Sequence, residues 1–374
     1  MATTAVAQRS ATLCPSAREK KLCLRACKLN TDQQPQQVPE GGPVSLASQL
    51  QDFHVKQLIG EGTGGQVYLA EHAHTHLRIA IKVARKTKAN TKAANMLRRE
   101  HTFLHELKPH KHLVQGYDFI ENADRACLLM QFAEQGDLFE YVRKMGGLKE
   151  PEAWRLFKQL MEVVSHIHAQ HVCHRDIKPE NIFLDKEGNV LLGDFGLASK
   201  WSPFCAVADC VGSLDYAAPE VLRQGTCYKG PEVDMWSCGA VLFMMLTGRT
   251  PFYAASSLDV FHNIQSGRFD SAGLSPNAKD LIQKLLNPDP LRRATMYEVL
   301  NHPWMLVPPM RARVNSVPLL GFTRVRVGDR SSHHRQNSSK SLFKSRSNKR
   351  ARHQRKTNNT KVSPLTVINE GVRC

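Results

Sequence analysis

Long hydrophobic runs, paired cysteines and a secretory leader are all missing from this sequence of 374 residues. No run of 18 apolar residues occurs, which argues against a transmembrane helix. The ten cysteines form no Cys-x-x-Cys pair, so free thiols in a reducing compartment are expected rather than zinc or disulfides. Residues 1–21 lack an apolar segment, and although their Ala/Ser/Thr-rich composition resembles a transit peptide, organelle import is not expected.

Acidic residues are nearly missing from one end of the chain, which explains most of the net charge of +17. Residues 310–374 hold 16 Lys and Arg against two Asp and Glu, whereas residues 53–309 hold 29 against 28. An evenly spread positive charge would indicate a nucleic-acid or membrane-surface binder. The partition indicates instead a nearly neutral body that carries a basic tail.

Hydrophobic periodicity divides the chain into three parts. Residues 1–52 are predicted to be a disordered extension, and residues 306–374 a basic, largely disordered tail. Between them, strand patterns come first and helical patterns follow, with an early helix over residues 91–107. This order predicts an α+β fold in two lobes, a β-rich N-lobe over residues 53–131 and a hinge with a helical C-lobe over residues 132–305.

A glycine-rich turn with the pattern G-x-G-x-x-G-x-V joins the first two predicted strands. Its residues are Gly60, Glu61, Gly62, Thr63, Gly64, Gly65 and, after Gln66, Val67. A dinucleotide loop would open a helix, but here a strand continues, and no Walker-type lysine motif follows. Such a hairpin brings backbone N–H groups close to phosphates because glycine has no Cβ. An ordinary hairpin turn is the alternative.

A lysine lies on the third predicted strand between apolar neighbours, in Ala80-Ile81-Lys82. A half-buried lysine needs an anionic partner. Glu100 on the following helix is the predicted partner, and Glu106 on the same helix is the competitor.

Three motifs follow in a fixed order: HRDIKPEN over residues 174–181, Asp-Phe-Gly over residues 194–196 and Ala-Pro-Glu over residues 218–220. Each is common alone, but the full set behind a glycine loop and a lysine is specific. With these motifs, residues 53–305 resemble the eukaryotic protein kinases.

The resemblance implies ATP and Mg²⁺ as cofactors and assigns roles to matching residues. The glycine loop would cover the phosphates, Lys82 would contact them while held by Glu100, and Asp194 and Asn181 would bind Mg²⁺. Asp176 would accept the proton of the substrate hydroxyl, and Lys178 would neutralise the transferred phosphate. The resemblance also places Ala80, the gatekeeper Met130, the hinge residues Gln131 and Ala133, and Asp137 around the nucleotide.

The subtype also follows from the resemblance. Lys178 and Ser213 match the Ser/Thr-specific branch, and the surrounding sequence is similar to the calcium/calmodulin-kinase group, nearest to AMP-activated-kinase relatives. Leu197 tends to accompany serine acceptors in this family. Asp137 and Glu180 match positions that receive substrate arginines in basophilic kinases.

Two positions depart from the family pattern. Asp209 stands where this subgroup carries a phosphorylated threonine, so its carboxylate could pair with Arg175 and support basal activity; a solvated loop aspartate is the alternative. Gly116 stands where the family usually places leucine beneath the first helix, and the missing side chain predicts weaker packing between the lobes.

The basic segment 344–356 resembles a nuclear localisation signal, and the nucleus, the cytoplasm or both are the expected locations. The same segment could bind RNA or acidic lipid, although it contains no aromatic platform for bases. Protein substrates, a nuclear import receptor and a monomeric state are expected. The alternatives to a kinase are a pseudokinase, which loss of Lys82, Asp176 or Asp194 would favour, and a basic RNA- or lipid-binding adaptor.

Overall fold

Alternating apolar and polar residues build an antiparallel sheet in the first part of the computed structural model. The structure describes residues 50, 52–62, 64–86, 91–202, 212–223, 228, 230–254 and 256–308. The strands of this sheet are β1 Phe53–Gly62, β2 Gly65–His72, β3 Arg78–Arg85, β4 Gly116–Glu121 and β5 Arg125–Gln131. Their spatial order is β1-β2-β3-β5-β4, so β3 lies in the centre with β2 and β5 on either side.

Helix α1 spans Lys92–Glu106 and packs against β3, β4 and β5. Its buried residues Ala94, Leu97, Glu100 and Phe103 recur every three positions, which is the periodicity of one helix face. Leu107 is extended, and the helix ends there, two residues before Pro109. A single carboxylate, Glu100, therefore lies on the apolar face that meets the sheet.

The second part of the described chain is mostly helical. Its helices are α2 Leu138–Met145, α3 Glu150–His168, α4 Pro219–Leu222, α5 Pro231–Thr247, α6 Ser257–Ser266, α7 Pro276–Leu285, α8 Met296–Leu300 and α9 Pro303–Leu306. Short strand pairs lie among them, β6 Val172–Cys173 with β9 Ser199–Lys200 and β7 Ile182–Leu184 with β8 Val190–Leu192. Helix α5 is buried almost all round and packs against α3 and α7, as its uniformly apolar sequence predicts. The predicted α+β arrangement in two lobes is confirmed.

A buried ion pair ties the helical lobe together. Arg293 donates from both guanidinium nitrogens to the carboxylate of Glu220, at 2.6 and 2.9 Å. The same guanidinium donates to the carbonyls of Glu232 and Asn287 and lies 5.1 Å from the ring centre of Trp236. Every charge of this pair has a partner, so its burial is compensated.

Leu104 of α1 connects the hydrophobic clusters of the two lobes. It packs against the large helical core and also against the N-lobe cluster that contains Ala94 and Leu128. A Cβ built on Gly116 would lie only 3.2 Å from the Leu104 Cβ. The expectation of weaker packing at Gly116 is therefore not met at this contact, because Leu104 itself closes on the glycine.

Candidate active site

The glycine hairpin lies directly over the lysine strand. Gly62 faces Gly65 across the turn, and Val67 lies opposite Lys82. Gly65 has a φ of +115°, and a Cβ there would lie 2.1 Å from the Val83 carbonyl oxygen, so only glycine fits. A Cβ on Gly64 would lie 2.8 Å from Lys82 Cε. The hairpin thus forms a cradle over Lys82 that a side chain at Gly64 would fill, as a phosphate site requires, whereas Thr63 lies outside the described residues.

Lys82 joins the sheet, helix α1 and the segment that follows β8. Its ammonium lies 2.7 Å from Glu100 Oε2 and 2.9 Å from Asp194 Oδ1. Burial works to lower the pKa of Lys82, but the carboxylates of Glu100 and Asp194 raise this pKa above its ordinary value. Glu106, the competing partner, pairs with Lys200 instead. The lysine therefore stays charged and fixes both carboxylates.

Four side chains meet around Asp176. Three of them belong to residues 174–181, which we call the catalytic loop, and the fourth, Ser213, belongs to the segment before α4. Asp176 Oδ2 accepts hydrogen bonds from Lys178 Nζ at 2.8 Å and from Asn181 Nδ2 at 3.0 Å. Asp176 Oδ1 accepts from the Ser213 hydroxyl at 3.1 Å, and Lys178 Nζ also donates to Ser213 Oγ at 2.8 Å. Ser213 comes 37 residues after Asp176, so the fold brings together groups that are distant in sequence.

A buried aspartate on α5 holds the backbone of this loop. Asp234 accepts from the N–H groups of His174 and Arg175 at 2.9 and 2.8 Å, and from His168 Nε2 at 2.8 Å. Burial works to raise the pKa of Asp234, but the bond from His168 and these N–H groups hold it below its ordinary value. Sequence reasoning missed Asp234 and His168; a lone acid inside an apolar helix was the available signal.

Asp194 stands in the left-handed region at a φ of +58°, a conformation uncommon for residues other than glycine. Burial works to raise the pKa of Asp194, but the Lys82 ammonium keeps it below the ordinary value. Oxygen ligands of this kind suit Mg²⁺, and the carboxylate of Asp194 with the amide oxygen of Asn181 forms such a donor set. A backbone hydrogen bond connects the segments that carry Asn181 and Asp194, since the N–H of Gly193 donates to the Asn181 carbonyl at 3.0 Å.

The hinge follows β5. Met130 lies opposite Ala80 on β3 and opposite Gly116 on β4, at the inner side of the cleft. Gln131 N–H donates to the Gln115 carbonyl at 2.8 Å. Ala133 follows β5 at this point and lies partly buried in the linker between the lobes.

Two carboxylates that form no ion pair within the described chain, those of Asp137 and Glu180, lie beside residues 174–181. Asp137 caps α2 by accepting from Glu140 N–H at 2.8 Å. Burial, together with the carboxylates of Asp137 and Asp176, raises the pKa of Glu180, although the Lys178 ammonium works to lower it. The three acidic side chains therefore lie close enough to interact, with Lys178 among them.

The predicted regulatory pair is only half described. Arg175 has a φ of +65°. Its guanidinium donates to the Leu197 carbonyl at 2.8 Å and to the Tyr228 hydroxyl at 3.4 Å. Asp209 and the basic segment 344–356 lie outside the described residues, as does the predicted N-terminal extension apart from Leu50 and Asp52. In the described part of the chain no helix is long and apolar enough to span a membrane.

The cleft between a sheet and a helical lobe, with its lysine–glutamate pair and its aspartate-centred loop, defines a phosphotransferase of the protein kinase class. The family model for the protein kinase domain matches residues 53–305, and the chain belongs to this family. The prediction from the motifs is confirmed.

Curated relatives indicate which type of protein kinase domain this is. The chain is 36% identical to "Carbon catabolite-derepressing protein kinase" of Candida tropicalis over 76% of its length and 47% of the relative. It is 36% identical to "SNF-related serine/threonine-protein kinase" of Homo sapiens over 72% of its length and 36% of the relative. It is 37% identical to "Serine/threonine protein kinase OSK3" of Oryza sativa subsp. indica over 72% of its length and 52% of the relative. The kinase domain is thus of the SNF-related Ser/Thr type, and the chain spans about half the length of these relatives or less.

Proposed function

We propose that this protein transfers the γ-phosphate of ATP to serine and threonine hydroxyls of protein substrates. The arrangement around Asp176 carries the proposal, because Lys178, Asn181 and Ser213 all lie within hydrogen-bond distance of one carboxylate. Members of this family use ATP with Mg²⁺, which supplies electrostatic stabilisation of the phosphates when bound. Asp194 and Asn181 would hold the metal, and Lys82 with the glycine cradle would hold the phosphates.

The two oxygens of Asp176 are not equivalent. Oδ2 accepts from a cationic ammonium and from an amide, whereas Oδ1 accepts from the neutral hydroxyl of Ser213 alone among the described groups. Charge-assisted bonds stabilise the ionised form of the oxygen that accepts them. Oδ1 is therefore the better base, and we assign it the proton of the substrate hydroxyl. Lys178 donates to Oδ2 and to Ser213 Oγ, and from this position it would neutralise charge on the transferred group.

The decisive test is phosphate transfer from radiolabelled ATP to a peptide library, with the Asp176→Ala variant as control. Transfer to serine and threonine peptides by the wild type alone is expected. A wild type that binds ATP but transfers no phosphate would identify a pseudokinase, although Lys82, Asp176 and Asp194 are all present. Leu197 further favours serine over threonine acceptors in the same library.

We also propose a preference for arginine before the acceptor. The carboxylates of Asp137 and Glu180 lie near the catalytic aspartate and form no ion pair in the described chain, and a substrate guanidinium would offset the repulsion between them. Asp137→Asn keeps the cap on α2 but removes the charge, so it tests recognition without unfolding the helix. Glu180→Gln and Asp137→Asn should each raise KM for arginine peptides about tenfold and leave alanine-substituted peptides unaffected. An equal effect on both peptide sets would contradict the assignment.

Asp209 supports basal activity in this proposal, because a fixed carboxylate near Arg175 would replace part of a phosphate's charge. Phosphatase-treated protein should keep measurable activity, and Asp209→Ala should lower it while Asp209→Glu retains it. If Asp209→Ala leaves the activity of the purified protein unchanged, the aspartate has no regulatory role.

The basic segment 344–356 supports a location in the nucleus as well as the cytoplasm, through a nuclear import receptor. A fluorescent fusion should lose nuclear accumulation when Lys349 and Arg350 are replaced by alanine. Unchanged localisation together with salt-sensitive retention on RNA or on acidic vesicles would assign the segment to one of those partners instead.

A further inference from the structure

Metal-ligating side chains gather behind the cleft, where the loop over residues 107–115 passes over helix α3. His110 and His112 belong to the loop, and Glu162 and His166 lie one turn apart on α3. The ring of His110 stacks on that of His166 at 4.8 Å between centroids and lies 5.6 Å from that of His112. None of these four residues belongs to the catalytic machinery described above.

His112 carries a buried nitrogen that has no partner. The residue is 4% exposed, and its Nδ1 donates to the Val190 carbonyl at 2.9 Å, so its Nε2 presents a lone pair. That Nε2 makes no hydrogen bond in the described chain, and it faces Glu162 Oε2 at 3.7 Å. A lone pair facing a carboxylate is unfavourable unless a cation or a hydrogen-bond donor lies between them.

We propose that His112, Glu162 and His166 form a site for a divalent transition metal of the Zn²⁺ class, with His110 as the fourth available ligand. Imidazole and carboxylate suit such ions. Two ligands at ~2.1 Å from a tetrahedral ion lie about 3.4 Å apart, so the His112 and Glu162 atoms need to approach by only a few tenths of an ångström.

The hydrogen bonds around the cluster are those that orient metal ligands. His166 Nε2 donates to the Lys108 carbonyl at 2.8 Å, as His112 Nδ1 donates to Val190. A ligating histidine usually donates its second nitrogen to a carbonyl or carboxylate, which fixes its tautomer and orientation. His166 Nδ1 is consequently left as the atom available to a metal in this tautomer. Bringing that atom to the ion takes a rotation of the ring that exchanges its bond to Lys108 for the metal, whereas His112 keeps its bond to Val190.

Lys111 now supplies the positive charge at this cluster. Its ammonium lies 2.9 Å from Glu162 Oε2, and its side chain is 67% exposed. A metal ion would displace this ammonium into solvent. Lys111 is therefore a competitor of the ion, and its removal should strengthen metal binding.

A second group of potential metal ligands consists of His168, Cys173 and Asp234, whose ligand atoms lie within 4.8 Å of one another. Two of these residues already hydrogen bond to each other. Asp234 accepts the bonds that hold the catalytic loop, and burial raises the pKa of the Cys173 thiol far above its ordinary value. Asp234 and His168 therefore already use their potential ligand atoms in hydrogen bonds to each other and to the loop.

The location gives the metal a structural consequence. Residues 107–115 follow α1, which carries Glu100, and the loop is already tied to α3 through His166 and to the segment after it through Gln170. A metal held by His112 of the loop and by Glu162 and His166 of α3 would replace the bond of His166 to Lys108 and restrain the end of α1. An effect on phosphate transfer rests on the proposed function, whereas the site itself does not.

The experiment is Co²⁺ and Zn²⁺ titration of the metal-stripped full chain, followed by visible absorption, competition and bound-metal stoichiometry. His112→Gln, Glu162→Gln and His166→Gln should each weaken one binding event at least about tenfold and abolish its cobalt absorption bands. Lys111→Met should strengthen the same event about two- to fivefold, the weight of an exposed ion pair. The matched control is the double variant His101→Gln/His105→Gln, which removes another stacked histidine pair, on α1, with centroids 6.0 Å apart.

Circular dichroism of each apo variant checks folding, and if His112→Gln does not fold, His166→Gln and Lys111→Met decide the question. Binding that is equal in the wild type and all cluster variants would overturn the proposal and leave an ordered water as the partner of His112. Loss of the event in the control pair instead would equally overturn it.

Discussion

Gly116→Leu distinguishes what the family pattern predicts from what this structure predicts. The family usually has leucine at this position, so restoring it would be expected to preserve or improve activity. Here a Cβ on residue 116 would lie 3.2 Å from Leu104 Cβ and 3.5 Å from Leu104 Cδ1. A leucine must therefore displace Leu104, which connects the clusters of the two lobes.

The magnitude follows from overpacking. Forcing extra methylenes into a packed site costs about 1–3 kcal/mol. For a domain of this size each kcal/mol shifts Tm by roughly 2–4 °C, so a fall of roughly 2–12 °C is expected. Leu104 follows Glu100 by one helical turn, so we expect its displacement to move Glu100 away from Lys82. If the separated arrangement of Lys82 and Glu100 is the more stable one, each 1.4 kcal/mol needed to restore the pair lowers kcat/KM about tenfold.

Thermal melting and peptide phosphorylation should be measured for Gly116→Ala and Gly116→Leu, alone and with Leu104→Ala. The alanine variant adds only the 3.2 Å contact and should lie between the wild type and the leucine variant. Removing the Leu104 side chain makes room, so the double variant should recover part of the loss, as a favourable coupling. A Gly116→Leu protein that is as stable and as active as the wild type would refute the reasoning, as would purely additive effects.

Three further outcomes follow from buried polar groups. In denaturant titrations, Arg293→Met should lower the free energy of unfolding by about 3–5 kcal/mol, because it leaves the buried carboxylate of Glu220 unpaired. Arg292→Met, at the exposed neighbouring residue, should change the same free energy by less than about 1 kcal/mol. The pKa of Asp234 is depressed in the folded protein, so the stabilisation from its ionised form is present above the ordinary pKa of 3.8 and is lost as pH falls. The difference in the free energy of unfolding between wild type and Asp234→Asn should therefore shrink below pH ~4, and a constant difference would contradict this. Ser213→Ala removes a hydrogen bond to Asp176, the proposed proton acceptor, and should lower kcat about 10- to 100-fold with KM for ATP unchanged; an unchanged kcat in steady-state assays would exclude that role.

The order of motifs allowed much of the site to be anticipated. Lys82, Asp176 and Asp194 each lie in a short segment that matches a kinase motif, so their local pattern is recognisable. The strand–turn–strand around the glycines and the apolar helix α5 were equally visible from periodicity. These features are local, and local patterns are what a single sequence reports.

Contacts between distant segments were harder to anticipate. Asp234 comes about 60 residues after the N–H groups that it binds, so nothing near it in the sequence marks its role. The closure of Leu104 on Gly116 depends on how α1 sits against β4, which a periodicity of 3.6 does not specify. The orphaned nitrogen of His112 depends on a carbonyl 78 residues further along the chain.

Asp234 shows why the catalytic loop and the core cannot vary independently. An ionised carboxylate inside an apolar helix is strongly unfavourable unless donors surround it, and two of its donors are the N–H groups of His174 and Arg175. Those N–H groups, in turn, would be buried without partners if the loop moved away. Each side therefore depends on the other, and this mutual dependence holds Asp176, the next residue, in place. A positioned base needs a backbone that does not reorganise during the reaction, and in this chain the core helix α5 provides it.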